Sequence, residues 1–106
     1  MLESEFLVAV LHLARLRGCL VHHCRPARTA SGWSTPIQGD SGFPDLVIAG
    51  AGGVLFRELK TETGTVTVPQ RLWIDRLSVA QVNVAVWRPD DLRSGLVDSE
   101  IREVSR

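Results

Sequence analysis

Asp45, Glu58 and Lys60 are the residues of this sequence whose types and spacing suit a common chemistry. Asp45 opens the apolar, β-prone run Asp45–Ala49, while Glu58 and Lys60 close a second run, Val54–Lys60. Between them Gly50-Ala51-Gly52-Gly53 reads as a tight hairpin turn whose glycines are free to supply positive φ angles. A loop symmetric about Ala51 and Gly52 pairs Ala49 with Val54 and so sets Asp45 opposite Glu58. Directly opposed residues of an antiparallel pair share a face, with Cβ atoms roughly 4.5–5.5 Å apart. Lys60 lies two residues beyond Glu58 and shares that face as well. Two carboxylates so placed repel each other, and a hard divalent cation between them would remove the repulsion. Mg2+ or Mn2+, held by one or two carboxylates plus a substrate phosphate, suits such oxygen donors. An ammonium beside the ion could orient a water or offset phosphate charge, and the chemistry is then phosphodiester hydrolysis. The competing reading is a surface hairpin with an exposed Glu58–Lys60 pair and Asp45 as a turn cap.

Lys60 is the only lysine among twelve basic residues, the other eleven being arginine. A coding bias that strong tends to replace an idle lysine, and the two side chains are not interchangeable where a compact amine is needed. Gly42-Phe43-Pro44-Asp45, the hairpin, Glu58-Leu59-Lys60 and the later Gln70 together resemble the PD-(D/E)XK nuclease signature. More narrowly they are similar to its VRR-NUC branch, especially the small stand-alone phage and bacterial members, from about Glu3 to Pro89. The Asp…Glu-x-Lys triplet alone is a weak signal, whereas the ordered set is specific.

The resemblance implies a Mg2+- or Mn2+-dependent DNA endonuclease with an α/β, restriction-endonuclease-like sandwich. It implies that a glutamate of the N-terminal helix completes the metal shell, Glu3 first and Glu5 in reserve, with a backbone carbonyl near Leu59 assisting. It assigns Gln70 to the active site near the lysine, and it implies a homodimer in the cytoplasm of a bacterial host, phage-encoded or not.

These residues need elements to position them. Leu2, Phe6, Ala9, Val10, Leu13 and Leu16 recur at three- and four-residue steps, which predicts a helix from about Leu2 to Arg17 stopped by Gly18. Glu3 and Glu5 flank that stripe, where negative charge also favours the helix dipole without any metal. Cys19–Cys24 reads as the first strand, with Val21 and His23 on one face and Leu20, His22 and Cys24 on the other. Ligands on opposite faces cannot converge, so a Cys/His zinc site is disfavoured, and His22 is the candidate for a phosphate contact. Arg25–Ser41 reads as a long loop whose Arg25, Arg28 and Trp33 mix basic and aromatic character suited to DNA.

Thr67 and Gln70 form a capping box for a helix over Val68–Ala80, which alone would account for the glutamine. Trp73, Leu77 and Ala80 make one apolar face of that helix, and Val68, Leu72 and Val79 a second, available to a partner copy. Val82–Trp87 reads as a buried strand parallel to an earlier one. Residues 90–106 read as a polar tail, with at most a short helix through Leu92, Val97, Ile101 and Val104. The expected order is α-β-β-β-α-β around a small mixed sheet.

At 106 residues the chain is expected to form a single domain. No apolar run reaches the roughly 20 residues of a membrane span. Glu3 and Glu5 stand where a signal peptide would be basic, and the two cysteines suit reduced thiols better than a disulfide framework. The formal net charge of zero counts against tight non-specific binding to nucleic acid. A catalytically inactive nucleic-acid-binding module of the same fold is the alternative to an enzyme, and a small assembly protein is a third class. Neither duplex nor branched DNA, such as a Holliday junction, is favoured by the residues themselves.

Overall fold

The computed structural model describes residues 1–24, 27–29, 32–34 and 37–106, the side chains of 27–29 and 32–34 excepted. The elements run α1 (Glu3–Leu16), β1 (Leu20–His23), β2 (Ala27–Thr29), β3 (Gly32–Ser34), β4 (Leu46–Gly50), β5 (Gly53–Leu59), α2 (Val68–Val79), β6 (Val84–Trp87), α3 (Pro89–Arg93) and α4 (Leu96–Ser105). The architecture is α/β, with a four-stranded mixed sheet ordered β1-β4-β5-β6. β1–β4 and β4–β5 are antiparallel, and β6 joins β5 in parallel after the α2 crossover. No helix among the described residues is long and apolar enough to cross a membrane.

The hairpin register is the expected one: Ala49 pairs with Val54 and Leu46 with Arg57. Period-two alternation then sorts the sheet into two faces. Leu46, Ile48, Leu55 and Leu59 point to one face and join Phe6, Val10 and Ala14 of α1 in the buried core. Asp45, Val47, Phe56, Glu58 and Lys60 belong to the other face, where Phe56 meets Phe43 edge-on, with ring centroids 5.9 Å apart. Phe43 in turn meets Trp73 of α2 edge-on at 5.0 Å.

Three expectations need correction. The segment 25–41 is not wholly loop, because β2 and β3 form a separate two-stranded sheet with Arg28 opposite Trp33 in register. The C-terminal segment is not a peripheral tail: Val97, Ile101 and Val104 of α4 complete the core against the sheet. Spaced four and three apart, they form one stripe that α1 and the sheet cover together. The element order therefore contains α-β-β-β-α-β, with a hairpin inserted after β1 and two helices appended. Finally, the hairpin glycines do not adopt positive φ. They are small because α4 ends against the turn: a Cβ on Gly50 would lie 2.2 Å from the Val104 carbonyl oxygen. That same carbonyl accepts the Gly52 N–H at 2.8 Å.

Arg57 occupies the core face of β5 and is only 1% exposed. Its Nη1 donates to the Phe56 and Asn83 carbonyls at 2.9 and 3.0 Å, and its Nη2 donates to Asn83 Oδ1 at 2.8 Å. Glu100 of α4 supplies the counter-charge at 3.4 Å and also accepts the Trp87 indole N–H at 2.6 Å. The guanidinium carbon sits 4.9 Å from the Trp87 ring centroid. Burial lowers the Arg57 pKa from its ordinary value and Glu100 opposes that effect. Only the Arg57 end of this pair is buried, and removing Glu100 leaves that guanidinium without its counter-charge. Glu100→Ala is therefore expected to lower stability by about 3 kcal/mol in denaturant melts, with Arg57 still held by Asn83. Glu100→Gln, which can still accept from both donors, is expected to lose less.

Candidate active site

Asp45 sits one residue before β4, and continuing the register from Leu46–Arg57 sets it opposite Glu58. The row extends to β1, where the Cys24 N–H donates to the Asp45 carbonyl at 3.2 Å. Along β5 the even-numbered N–H groups turn toward β6, as Phe56 to Asn83 (2.9 Å) and Lys60 to Trp87 (3.0 Å) show. Leu59 faces the other way, and its N–H donates to Asp45 Oδ2 at 3.1 Å. Because N–H and C=O of one strand residue point to the same side, the Leu59 carbonyl also faces the Asp45 edge.

Glu58 is 2% exposed. Its Oε2 accepts from Gln70 Nε2 at 3.0 Å and lies 3.7 Å from the Lys60 ammonium. Its Oε1 is buried without a hydrogen-bond donor. Burial, followed by the facing Asp45 charge, raises the Glu58 pKa to about 8, against the opposing pull of Lys60. An acceptor oxygen with no donor, on a side chain set opposite a second carboxylate, is a donor set that fits a hard cation.

Gln70 does both of the things its position suggested. Its Oε1 accepts the Thr67 N–H at 2.9 Å and its own N–H donates to Thr67 Oγ1 at 3.3 Å, closing the capping box. The cap leaves Nε2 free to reach Glu58. What brings α2 this close is Gly42, at φ 97°, where a Cβ would meet the Pro69 carbonyl carbon at 2.5 Å and the Gln70 nitrogen at 2.8 Å. The Trp73 indole N–H anchors the same approach by donating to the Asp40 carbonyl at 3.2 Å.

Glu3 is not gathered into this cluster. Among the described residues no three His, Cys, Asp or Glu side chains are placed to hold a metal together. The chain turns back from α1 into β1 through the Cys19 N–H to Ala14 bond, and the Phe6–Val10–Ala14 stripe lies on the core face. Asp45 and Glu58 point from the opposite face, so Glu3 stays exposed in the first turn. Glu5 reaches back to accept the Leu2 N–H at 2.8 Å, the role of a helix cap.

His22 pairs with Val47 and so shares the Asp45–Glu58 face, exposed one row from Asp45. Arg25 lies outside the described residues, as do the side chains of Arg28 and Trp33. On α2 the buried residue is Ile74, which the two apolar faces read from sequence had omitted. The faces failed to find it because that helix is flanked by β6 and the Gly42 segment at once. No family model, curated protein or solved structure matches this chain.

Proposed function

We propose that the chain is a divalent-metal-dependent DNA endonuclease on a restriction-endonuclease-like frame. The succession α1, β1, β4, β5, α2, β6 supports that frame. The observation that carries the reading is the buried Glu58 facing Asp45, with Glu58 Oε1 unpartnered and with Lys60 and Gln70 on its other oxygen. Asp45, Glu58 and the Leu59 carbonyl would hold Mg2+ or Mn2+, which when bound supplies Lewis-acid polarisation of the phosphate and a more acidic water. Lys60 offsets charge that develops on the phosphate oxygens and orients the attacking water. Gln70 holds the Glu58 carboxylate by Oε2 and leaves Oε1 without a donor. His22, exposed on the Asp45–Glu58 face, would meet the phosphate of a DNA strand laid across that face.

A cleavage panel of linear, nicked, flapped and four-way-junction DNAs, with Mg2+, Mn2+ or EDTA, tests this. Metal-dependent cutting of at least one substrate is expected. Absence of cutting together with no Mg2+ binding heat would overturn the reading, while metal-dependent DNA binding without cutting would favour an inactive binding module.

Assembly belongs to the same proposal. One site cuts one strand, and symmetric cutting of a duplex or junction needs two copies about a two-fold axis. Val68, Leu72 and Val79 of α2 are 83%, 61% and 82% exposed and offer an isologous apolar surface. Sedimentation is expected to give a dimer at micromolar concentration, and Leu72→Glu is expected to split it and turn double-strand cutting into nicking. A monomer with and without DNA would remove the dimer.

A further inference from the structure

The geometry points to Arg88 as the positioning residue that sets Lys60 and Gln70 against Glu58, an inference that rests on the nuclease reading for its catalytic consequence. β5 and β6 end together: the Lys60 N–H donates to the Trp87 carbonyl at 3.0 Å, and Arg88 is the next residue along. Beyond Lys60 the chain leaves the sheet in a turn closed by the Gly64 N–H to the Thr61 carbonyl at 3.3 Å. Arg88 Nη1 meets three carbonyls of that one turn, Thr61 at 2.6 Å, Gly64 at 2.8 Å and Glu62 at 3.3 Å. The nitrogen has two hydrogens, so Thr61 and Gly64 are its partners and Glu62 is the weak third.

Among the described residues no carboxylate lies within ion-pair distance of Arg88, whose charge is met by carbonyl dipoles instead. The clamped turn touches the candidate machinery on both sides. Upstream, a Cβ on Gly64 would stand 3.6 Å from Lys60 Cδ and 3.0 Å from Thr61 Oγ1, so the turn walls in the lysine stem. Downstream, the chain runs into Thr67 and hence into the cap that aims Gln70 at Glu58. Arg88 is itself fixed by its N–H to Asp91 Oδ2 at 2.8 Å. An outer tie, Glu62 Oε1 accepting the Asp90 N–H at 2.7 Å, holds the turn from the solvent side.

Lys60 being the only lysine makes the test direct, because lysine labelled with 13C at Cε gives one side-chain signal from this chain. Arg88→Met removes every donor at similar length, and Arg88→Gln keeps an amide donor without adding a second lysine. In Arg88→Met the Lys60 signal is expected to move to the position of a solvent-exposed lysine. Its Mg2+-dependent kcat should fall on the order of 10- to 100-fold, with KM for DNA within about twofold, as for a misplaced catalytic group. Arg88→Gln should fall between it and the parent, and Glu62→Gln should leave both readings near the parent. A Lys60 signal unmoved in Arg88→Met overturns the inference, whatever happens to the rate. If Arg88→Met does not fold, an unmoved signal in Arg88→Gln does the same. Should the parent protein cut no DNA, the nuclease reading falls, and the Lys60 signal still decides whether Arg88 sets the lysine.

Discussion

Glu58→Gln is expected to abolish metal-dependent cleavage while leaving the chain folded. The substitution keeps the size of a side chain that is 2% exposed, and it can preserve the contact with Gln70. It removes the carboxylate that would face Asp45 across the ion, so the cation loses half of its carboxylate clamp. Loss of cleavage on the order of 10³-fold or more is expected in plasmid nicking with Mg2+, with a melting temperature equal to or above that of the parent. Asp45→Asn should behave alike, and it keeps an oxygen for the Leu59 N–H. Lys60→Arg keeps a positive charge but places a broad planar group where a compact amine stands 3.7 Å from Glu58, and it should be nearly inactive. Wild-type nicking by Glu58→Gln would remove the metal clamp from the account.

The metal-free protein is expected to lose stability as pH rises from about 4.5 to about 8. Glu58 has a folded pKa raised to about 8 from an ordinary value of 4.5, with burial as the main cause and Asp45 next. In that window the folded chain keeps a proton that the unfolded chain has released, so ν_U − ν_N is negative and unfolding becomes easier as pH increases. The contribution is fully present below about 4.5 and is lost by about 8, with a size on the order of a few kcal/mol. Thermal melts in EDTA across this range are expected to show the slope, and Glu58→Gln should flatten it. Mg2+ should reverse the trend, because an ion between the carboxylates favours the ionised form and stabilises the state that binds it. The Mg2+-induced rise in Tm should therefore be larger at pH 8.5 than at pH 6. Equal rises at both values would mean that the ion does not meet Glu58.

Local pattern determined much of this molecule. The alternation of Asp45–Ala49 and Val54–Lys60 about a symmetric loop leaves one register in which both apolar sets share a face, so Asp45 opposes Glu58. The stripe of α1 and the Thr67–Gln70 cap are likewise local, since they depend on residues three and four apart. Fold class followed from a helix between two strands that must then pair in parallel.

Tertiary structure alone decided the rest. A stripe such as Val97, Ile101 and Val104 says that one face wants cover, but not that the cover is the core face of this sheet. Glycine at 50 and 52 is visible in the sequence, yet only the arrival of α4 shows that close approach, rather than φ, requires it. Glu3 stands where a metal-binding glutamate was expected, but the packing of α1 on the opposite face keeps it from the carboxylate pair. Arg57 within β5 and Arg88 just past β6 each take their meaning from partners far along the chain: Asn83 and Glu100 for one, Thr61 and Gly64 for the other. Periodicity is a statement about neighbours within two turns of chain. Which buried charge meets which carbonyl depends on how whole elements stack, because only close packing brings such distant groups into hydrogen-bonding reach.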